Sequence, residues 1–412
     1  MNALNTGSLN ETSRGMRTAI AFLGRRNAGK SSLLNTLVGF DLAIVSQVAG
    51  TTTDPVNKAV EINPLGPCLV IDTAGIDDVG ELGQKRIEKT REVIKDSDVG
   101  LIIIGDGQWT PFEEDILQLL KEKRKPVIVV LNKSDCQDNS ALVSQLASRG
   151  LEPLTTVATT GQGVLELKEK IRHLKEVERI EEPSIVGDLI GPGDLVVLVV
   201  PIDLGAPKGR LILPQVQTIR DILDNDAASL VVKERELLDT LYKLREKPAL
   251  VVTDSQVVLK VSGDVPEDVP LTTFSTIFTR FKGDLRAMVE GVTAIDKLNN
   301  GDRVMIAEAC SHHALADDIG RVKIPRWLRQ YTGKDLQFDV LAGPSFNQDL
   351  DQYQLIIQCG GCTITRTAYR NRIEAARSQG VPITNYGIAI SHVQGVLKRI
   401  IQPFPEVQDL LN

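Results

Sequence analysis

Residues 24–31 read GRRNAGKS, a G-x-x-x-x-G-K-S pattern, with the apolar run TAIAFL (Thr18–Leu23) before it and SLLNTLVG after it. Such a loop works only between the C-terminal end of a buried strand and the N-terminus of a helix. There several backbone N–H groups can turn inward round one anion. A chain that carries the pattern in this context is committed to a parallel sheet with helices on its faces. The rest of residues 1–175 agrees. Apolar runs at Cys68–Ile71, Val99–Ile104, Pro126–Leu131 and Pro153–Ala158 alternate with amphipathic stretches such as Leu82–Ile94 and Phe112–Lys121. Runs of four to six residues rich in Val and Ile suit strands covered on both faces.

At 412 residues the chain has room for two or three such units. Glu176–Pro183 (EVERIEEP) reads as a linker, and Gly263–Asp268 (GDVPED) as a second break. The expected division is therefore 1–175, 184–265 and 268–412, all α/β. The middle unit offers strands at Leu195–Val200, Ser229–Val232 and Ala249–Val252, with helices after Pro214 and around Lys233–Leu244. It is small for an independent core, and runs such as LVVLVV would leave open sheet edges. Pairing with a second copy answers both problems, so a homodimer is expected; packing on neighbouring units of the same chain is the alternative. The last unit offers strands at Arg303–Ala307, Gln337–Leu341 and Gln354–Gln358 and a helix at Ala368–Gln379.

The nucleotide site follows from the loop. Gly24, Ala28, Gly29 and Ser32 belong to the phosphate cradle, Lys30 reaches the β- and γ-phosphates, and Ser31 ligates Mg²⁺. Asp72-Thr-Ala-Gly75 follows an apolar strand, which sets a carboxylate in the metal's second shell and the Gly75 N–H near the γ-phosphate. Asn132-Lys133-Ser-Asp135 follows another. Asp135 can accept two hydrogen bonds from guanine N1–H and the exocyclic amine, which adenine cannot supply, so GTP and GDP are the expected ligands. Thr52, in the loop GTTTD, completes Mg²⁺ coordination once a γ-phosphate is present, and Val157 and Ala158 close over the base. Hydrolysis in such a site is mostly positioning and charge stabilisation, so Lys30, Thr52 and Gly75 are catalytic candidates without any strong base.

This set resembles the translation-factor-related GTPases, in the branch around Era and the tRNA-modifying GTPase MnmE. Ile76 follows DTAG where Ras-like proteins place a water-orienting glutamine. Asn27 holds the position that ligates K⁺ in potassium-activated members of the branch, where the ion stands in for an arginine finger. The resemblance implies a catalytic and K⁺-binding role for Asn27 and an enzyme that is faster in potassium.

Net charge is −7 and the basic residues are dispersed, which disfavours nucleic acid as a partner. The one cluster, Lys121–Lys125 (KEKRK), reads as a solvated helix end. No apolar stretch approaches the ~20 residues that span a bilayer, and the polar start lacks a signal core. A cytoplasmic protein without membrane contact is expected. The five cysteines, at 68, 136, 310, 359 and 362, disfavour a disulfide framework and favour metal or redox chemistry. Cys68 and Cys136 read as structural, and His173 and His392 as surface or packing residues. Cys310, in EACSHH, and the pair Cys359/Cys362, in QCGGC, each follow a predicted strand, where open α/β sheets form ligand sites. A Cys₃His zinc site with His312, a thioredoxin-like thiol pair and an iron–sulfur cluster all remain open on the residues alone. His313 is either a neighbour of a functional His312 or a second candidate.

The three-part layout with Cys310, His312, Cys359 and Cys362 resembles the HydF family of FeFe-hydrogenase maturation GTPases over essentially the whole chain. The resemblance implies a 4Fe–4S cluster on Cys310, Cys359 and Cys362, a transient di-iron precursor as cargo, and apo FeFe-hydrogenase and radical-SAM maturation proteins as partners. Gln358 stands where many members carry a second histidine. Glutamine is the poorer iron ligand, so His312 is expected as fourth ligand, with water or a carboxylate such as Glu308 as rivals. The other function class is a potassium-dependent regulatory GTPase of RNA modification or ribosome assembly with a structural zinc site.

Overall fold

The computed structural model describes residues 17–39, 56–72, 90–177, 184–201, 211–309, 318–343, 346, 349–362 and 364–411. The expectations at Thr52, Gly75, Ile76, Cys310, His312 and His313 lie outside them, as do most of the proposed linker and the first part of the Leu82–Ile94 stretch. The chain divides into two compact units, residues 11–181 and 182–412.

The first unit is a six-stranded sheet in the order β2-β3-β1-β4-β5-β6. Its strands are β1 (Thr18–Leu23), β2 (Val56–Ile62), β3 (Gly66–Asp72), β4 (Val99–Ile104), β5 (Val127–Asn132) and β6 (Leu154–Thr156). All neighbours run parallel except β2, which pairs antiparallel with β3. Alternation of side chains divides the core in two. Ile20 and Phe22 pack with Leu33, Leu34 and Leu37 of helix α1 (Lys30–Val38). Ala19, Ala21 and Leu23 face the side holding Ile116, Leu117 and Leu120 of α2 (Pro111–Glu122) and Leu142 and Leu146 of α3 (Ser140–Ala147). Helix α4 (Val164–Val177) covers the α1 side with Leu167 and Ile171. The Lys121–Arg124 stretch is exposed at the end of α2, a solvated helix terminus.

The second unit holds two four-stranded parallel sheets, β10-β9-β7-β8 and β12-β11-β13-β14. The first comprises β7 (Leu195–Val199), β8 (Ala228–Val232), β9 (Leu250–Thr253) and β10 (Leu271–Thr273). The second comprises β11 (Arg303–Glu308), β12 (Gln337–Ala342), β13 (Leu355–Gln358) and β14 (Ile383–Asn385). One contiguous apolar core, from Ile185 to Val407, includes residues of both sheets. The LVVLVV run does not border solvent: β7 lies between β8 and β9, and Val196–Val199 are all fully buried. The exposed edge is β8, where Val231 is 40% accessible. Parallel connections explain the difference, since a crossover returns the chain to either side of the first strand. Helices α5 (Leu213–Asp224), α6 (Leu237–Lys243), α7 (Val258–Asp264), α8 (Phe274–Lys282), α9 (Leu285–Val292), α10 (Ile324–Thr332), α11 (Arg366–Ser378), α12 (Tyr386–Val393) and the short α13 (Leu397–Ile400) are the α-helices described in the unit.

Candidate functional site

The P-loop leaves β1 at Gly24 and enters α1 at Lys30. Lys30 is buried, and its Nζ donates to the carbonyls of Gly24 at 2.7 Å and Arg25 at 2.9 Å. The ammonium thus curls into its own loop. Ser31, Ser32 and Asn27 are exposed around the mouth, and Ala28 is buried beneath it. Asp72 ends β3, the strand beside β1.

The guanine motif is tied to this loop through its first two residues. Asn132 ends β5, is buried, and donates from Nδ2 to Ala28 O at 3.0 Å. Its Oδ1 accepts from Thr156 Oγ1 and from Ala158 N, both at 3.2 Å. Lys133 donates from Nζ to Asn27 O at 2.6 Å. Asp135 is exposed beside them, as a group that reads a base edge must be. Ala158 is held from a second side, its carbonyl accepting from Thr36 Oγ1 at 2.6 Å, while Val157 N donates to Gln162 O at 3.0 Å. One buried amide therefore links the phosphate loop, the base-reading strand and the segment proposed to close over the base.

Residues that no short motif marks also belong to this frame. Arg25 donates from Nε to the fully buried Glu113 at 2.9 Å, and from Nη2 to Asp106 at 2.7 Å and Gln108 O at 2.8 Å. Gly105 follows β4 directly under the loop: a Cβ there would sit 2.7 Å from Ala28 Cα, so no side chain fits. Their partners lie some 80 residues away in sequence, so no short pattern announces them.

At the other candidate site, β11 and β13 are adjacent and parallel, with Ala307 opposite Gln358. Cys359 leaves β13 where Glu308 and Ala309 leave β11, and its Sγ accepts from Ala309 N at 3.1 Å. Cys362 is exposed. The turn between them needs Gly361, whose φ is +60° and whose Cβ would lie 2.6 Å from the Tyr369 ring. Burial raises the Cys359 thiol's pKa, against the opposing donation from the Gly361 and Ala309 backbone. Two buried cations belong to the same sheet end. Lys282, at the end of α8, donates to Gly361 O at 3.3 Å. Arg372 of α11 donates to Glu308 O at 3.0 Å and also to Gly343 O. The Glu308 carboxylate is engaged by Arg321, at 3.0 Å from Nε and 2.6 Å from Nη2, which weighs against it as a rival metal ligand. Gln358 is fully buried and neither amide atom has a partner among the described residues.

The donor chemistry fits a thiolate-held centre: a strand-end thiol receiving a backbone N–H, a glycine turn, a second exposed thiol and buried positive charge nearby. Cys359 and Cys362 would hold such a group. Among the described residues no three His, Cys, Asp or Glu gather, and Cys310 and His312 lie outside them. Cys68 is buried in β3 and Cys136 exposed. His173 is exposed, and His392 packs on Tyr331 and contacts Asp296 at 3.1 Å. No helix among the described residues is long and apolar enough to cross a membrane.

A family model described as a 50S ribosome-binding GTPase matches residues 19–133. Models for the hydrogen maturase F dimerization domain and tetramerization domain match residues 185–283 and 286–403. The tRNA modification GTPase MnmE of Polynucleobacter asymbioticus is 39% identical over 172 residues, 40% of this chain and 36% of that protein. The MnmE of Heliobacterium modesticaldum is 36% identical over 163 residues, 39% and 34% of the two chains. The chain thus spans about a third of the length of the curated relatives it matches. A crystal structure of Aquifex aeolicus Era bound to GDP and AlF4⁻ is 24% identical, covers 55% of this chain and 98% of its own, with a TM-score of 0.33. With a GTPase domain followed by both maturase domains, the chain belongs to the hydrogen maturase F (HydF) family.

Proposed function

We propose that the chain is a GTP-hydrolysing scaffold of FeFe-hydrogenase maturation. In this reading residues 1–175 form the GTPase domain, 184–265 the dimerisation domain and 268–412 the cluster domain. A 4Fe–4S cluster is held by Cys310, Cys359 and Cys362, with His312 as fourth ligand. The observation that carries the reading is the coexistence, in one maturase-family chain, of a braced guanine-nucleotide loop and a thiol pair at a sheet end lined by buried cations. When bound, the cluster supplies an iron with an exchangeable position. The chain's own residues supply the thiolates and the enclosure. The cargo is a di-iron precursor passed to apo FeFe-hydrogenase, with radical-SAM maturation proteins upstream and a homodimer as the working form, in the cytoplasm.

In the GTPase domain, Lys30 Nζ leaves the Gly24 and Arg25 carbonyls and takes β- and γ-phosphate oxygens when GTP arrives. Ser31 and Thr52 would hold Mg²⁺, which would offset phosphate charge, with Asp72 and the Gly75 N–H as the supporting groups. Asn27 would help to hold a K⁺, which would supply positive charge to the transition state. Its carbonyl is already fixed by Lys133, so the loop is ordered before the ion binds. Asp135 selects guanine while Asn132 keeps Ala28 and Ala158 in place. Asp135→Asn tests the nucleotide assignment. Turnover is expected to move from guanine to xanthine nucleotides, and unchanged GTP use would remove Asp135 from the site.

The likeness to MnmE, over 40% of the chain, bears on the GTPase activity alone; the second reading is a potassium-dependent regulatory GTPase of RNA modification or ribosome assembly with a structural Cys₃His zinc site. Stoichiometric zinc, with no iron taken up under anaerobic reconstitution, is its signature.

A further inference from the structure

Lys282 closes α8 with its side chain inside the protein, 2% exposed. Its Nζ donates to Gly361 O at 3.3 Å and lies 5.6 Å from the centre of the Phe278 ring. Among the described residues no carboxylate forms an ion pair with it, and Glu308, the buried acid of the neighbouring strand end, is taken by Arg321. A carbonyl dipole and a ring face do not neutralise a desolvated ammonium. Burial pushes the Lys282 ammonium's pKa down, and the groups that oppose this are Cys362 and Cys359, which bracket the glycine that Lys282 holds. A second, independent sign is the Gln358 amide, fully buried beside Cys359 in sequence and without a described partner. Among the described residues, this end of the sheet carries more buried polarity than they satisfy.

As protonated thiols, the two cysteines leave the cation uncompensated. As thiolate ligands of a metal centre they give an anionic cluster of charge that the cation balances. Arg372, 1% exposed, adds to the same field at Cys359.

We propose that Lys282 is a positioning residue of the metal–thiolate centre, fixing the Cys359–Cys362 turn through Gly361 and supplying the buried positive charge that favours the centre's reduced state. This rests on the cluster reading above. Reduction adds negative charge, so removing a nearby cation makes the centre harder to reduce.

The test uses full-length wild type, Lys282→Gln, which keeps a hydrogen-bond donor without charge, and Lys282→Arg, which keeps the charge. Each is reconstituted anaerobically and titrated redox-potentiometrically with EPR detection. Lys282→Gln is expected to retain its iron and to be at least tenfold harder to reduce, a midpoint lower by about 59 mV for one electron. Lys282→Arg is expected to stay near wild type. A Lys282→Gln midpoint equal to wild type overturns the proposal. Should the glutamine variant lose its cluster, Co²⁺ titration of the apo proteins, read by the thiolate charge-transfer band, decides instead. Tenfold weaker binding in Lys282→Gln with near-wild-type binding in Lys282→Arg supports the role, and equal affinities in all three overturn it. Wild type that binds Co²⁺ but takes up no iron removes the cluster reading and leaves Lys282 to the Co²⁺ affinities. Wild type that binds neither metal removes both.

Discussion

Asn132 illustrates how much one side chain can carry in the GTPase domain. Its position in the NKSD motif was legible because the motif follows an apolar strand; its three hydrogen bonds, to Ala28, Thr156 and Ala158, were not, because they join residues far apart in sequence. Asn132→Ala leaves the Ala28 carbonyl and the Ala158 N–H buried and short of a partner. It is expected to cost about 2–3 kcal/mol in urea unfolding and to weaken GDP binding. Unchanged stability and affinity would mean that water replaces the amide. Gln358 is the opposite case, a buried amide with no described partner. Gln358→Met keeps the length and removes the polarity, so the metal-free protein is expected to be as stable as wild type or up to about 1 kcal/mol more stable. A loss above that range in the same unfolding experiment would assign the amide a structural partner. Gln358 was recognised in sequence only as a departure from a histidine; its isolation depends on strand register.

Among the elements, strands covered on both faces were legible as unbroken apolar runs, and β4 occupies the very run Val99–Ile104. Three strands were not. Strand β2 is an antiparallel edge with a mixed sequence, VNKAVEI, while β10 (LTT) and β14 (ITN) are three residues long and largely polar. Only neighbouring strands give such segments their conformation. Between elements, Asp188, in the 3-10 turn Gly187–Leu189, is paired with Arg280 of α8. Burial alone would raise the Asp188 carboxyl's pKa, but the Arg280 guanidinium and the Ser184 hydroxyl outweigh it and hold the carboxyl below its ordinary value. A folded pKa below the unfolded value means that the stabilisation is present above about pH 4 and is lost as pH falls through the folded value. Thermal unfolding followed between pH 3 and 7 is therefore expected to show a smaller acid-induced loss in Asp188→Asn than in wild type. Parallel pH profiles would show that the pair contributes nothing to folding.

For the whole molecule, a GTPase domain is followed by two maturase domains, and the candidate cysteine site falls in the last of them. The nucleotide site is announced by short motifs, GRRNAGKS and NKSD, and the described residues of the two are joined by hydrogen bonds. The cysteine site is assembled from β11, β13, α8 and α11, so Cys359 and Cys362 were visible while Lys282 and Arg372 were not. Iron, sulfide and zinc analysis after anaerobic reconstitution, with EPR of the reduced sample, decides whether this chain carries the proposed cysteine-held 4Fe–4S cluster. About four irons and four sulfides per chain are expected, with an EPR signal that disappears in Cys359→Ser. Stoichiometric zinc without iron would contradict the account.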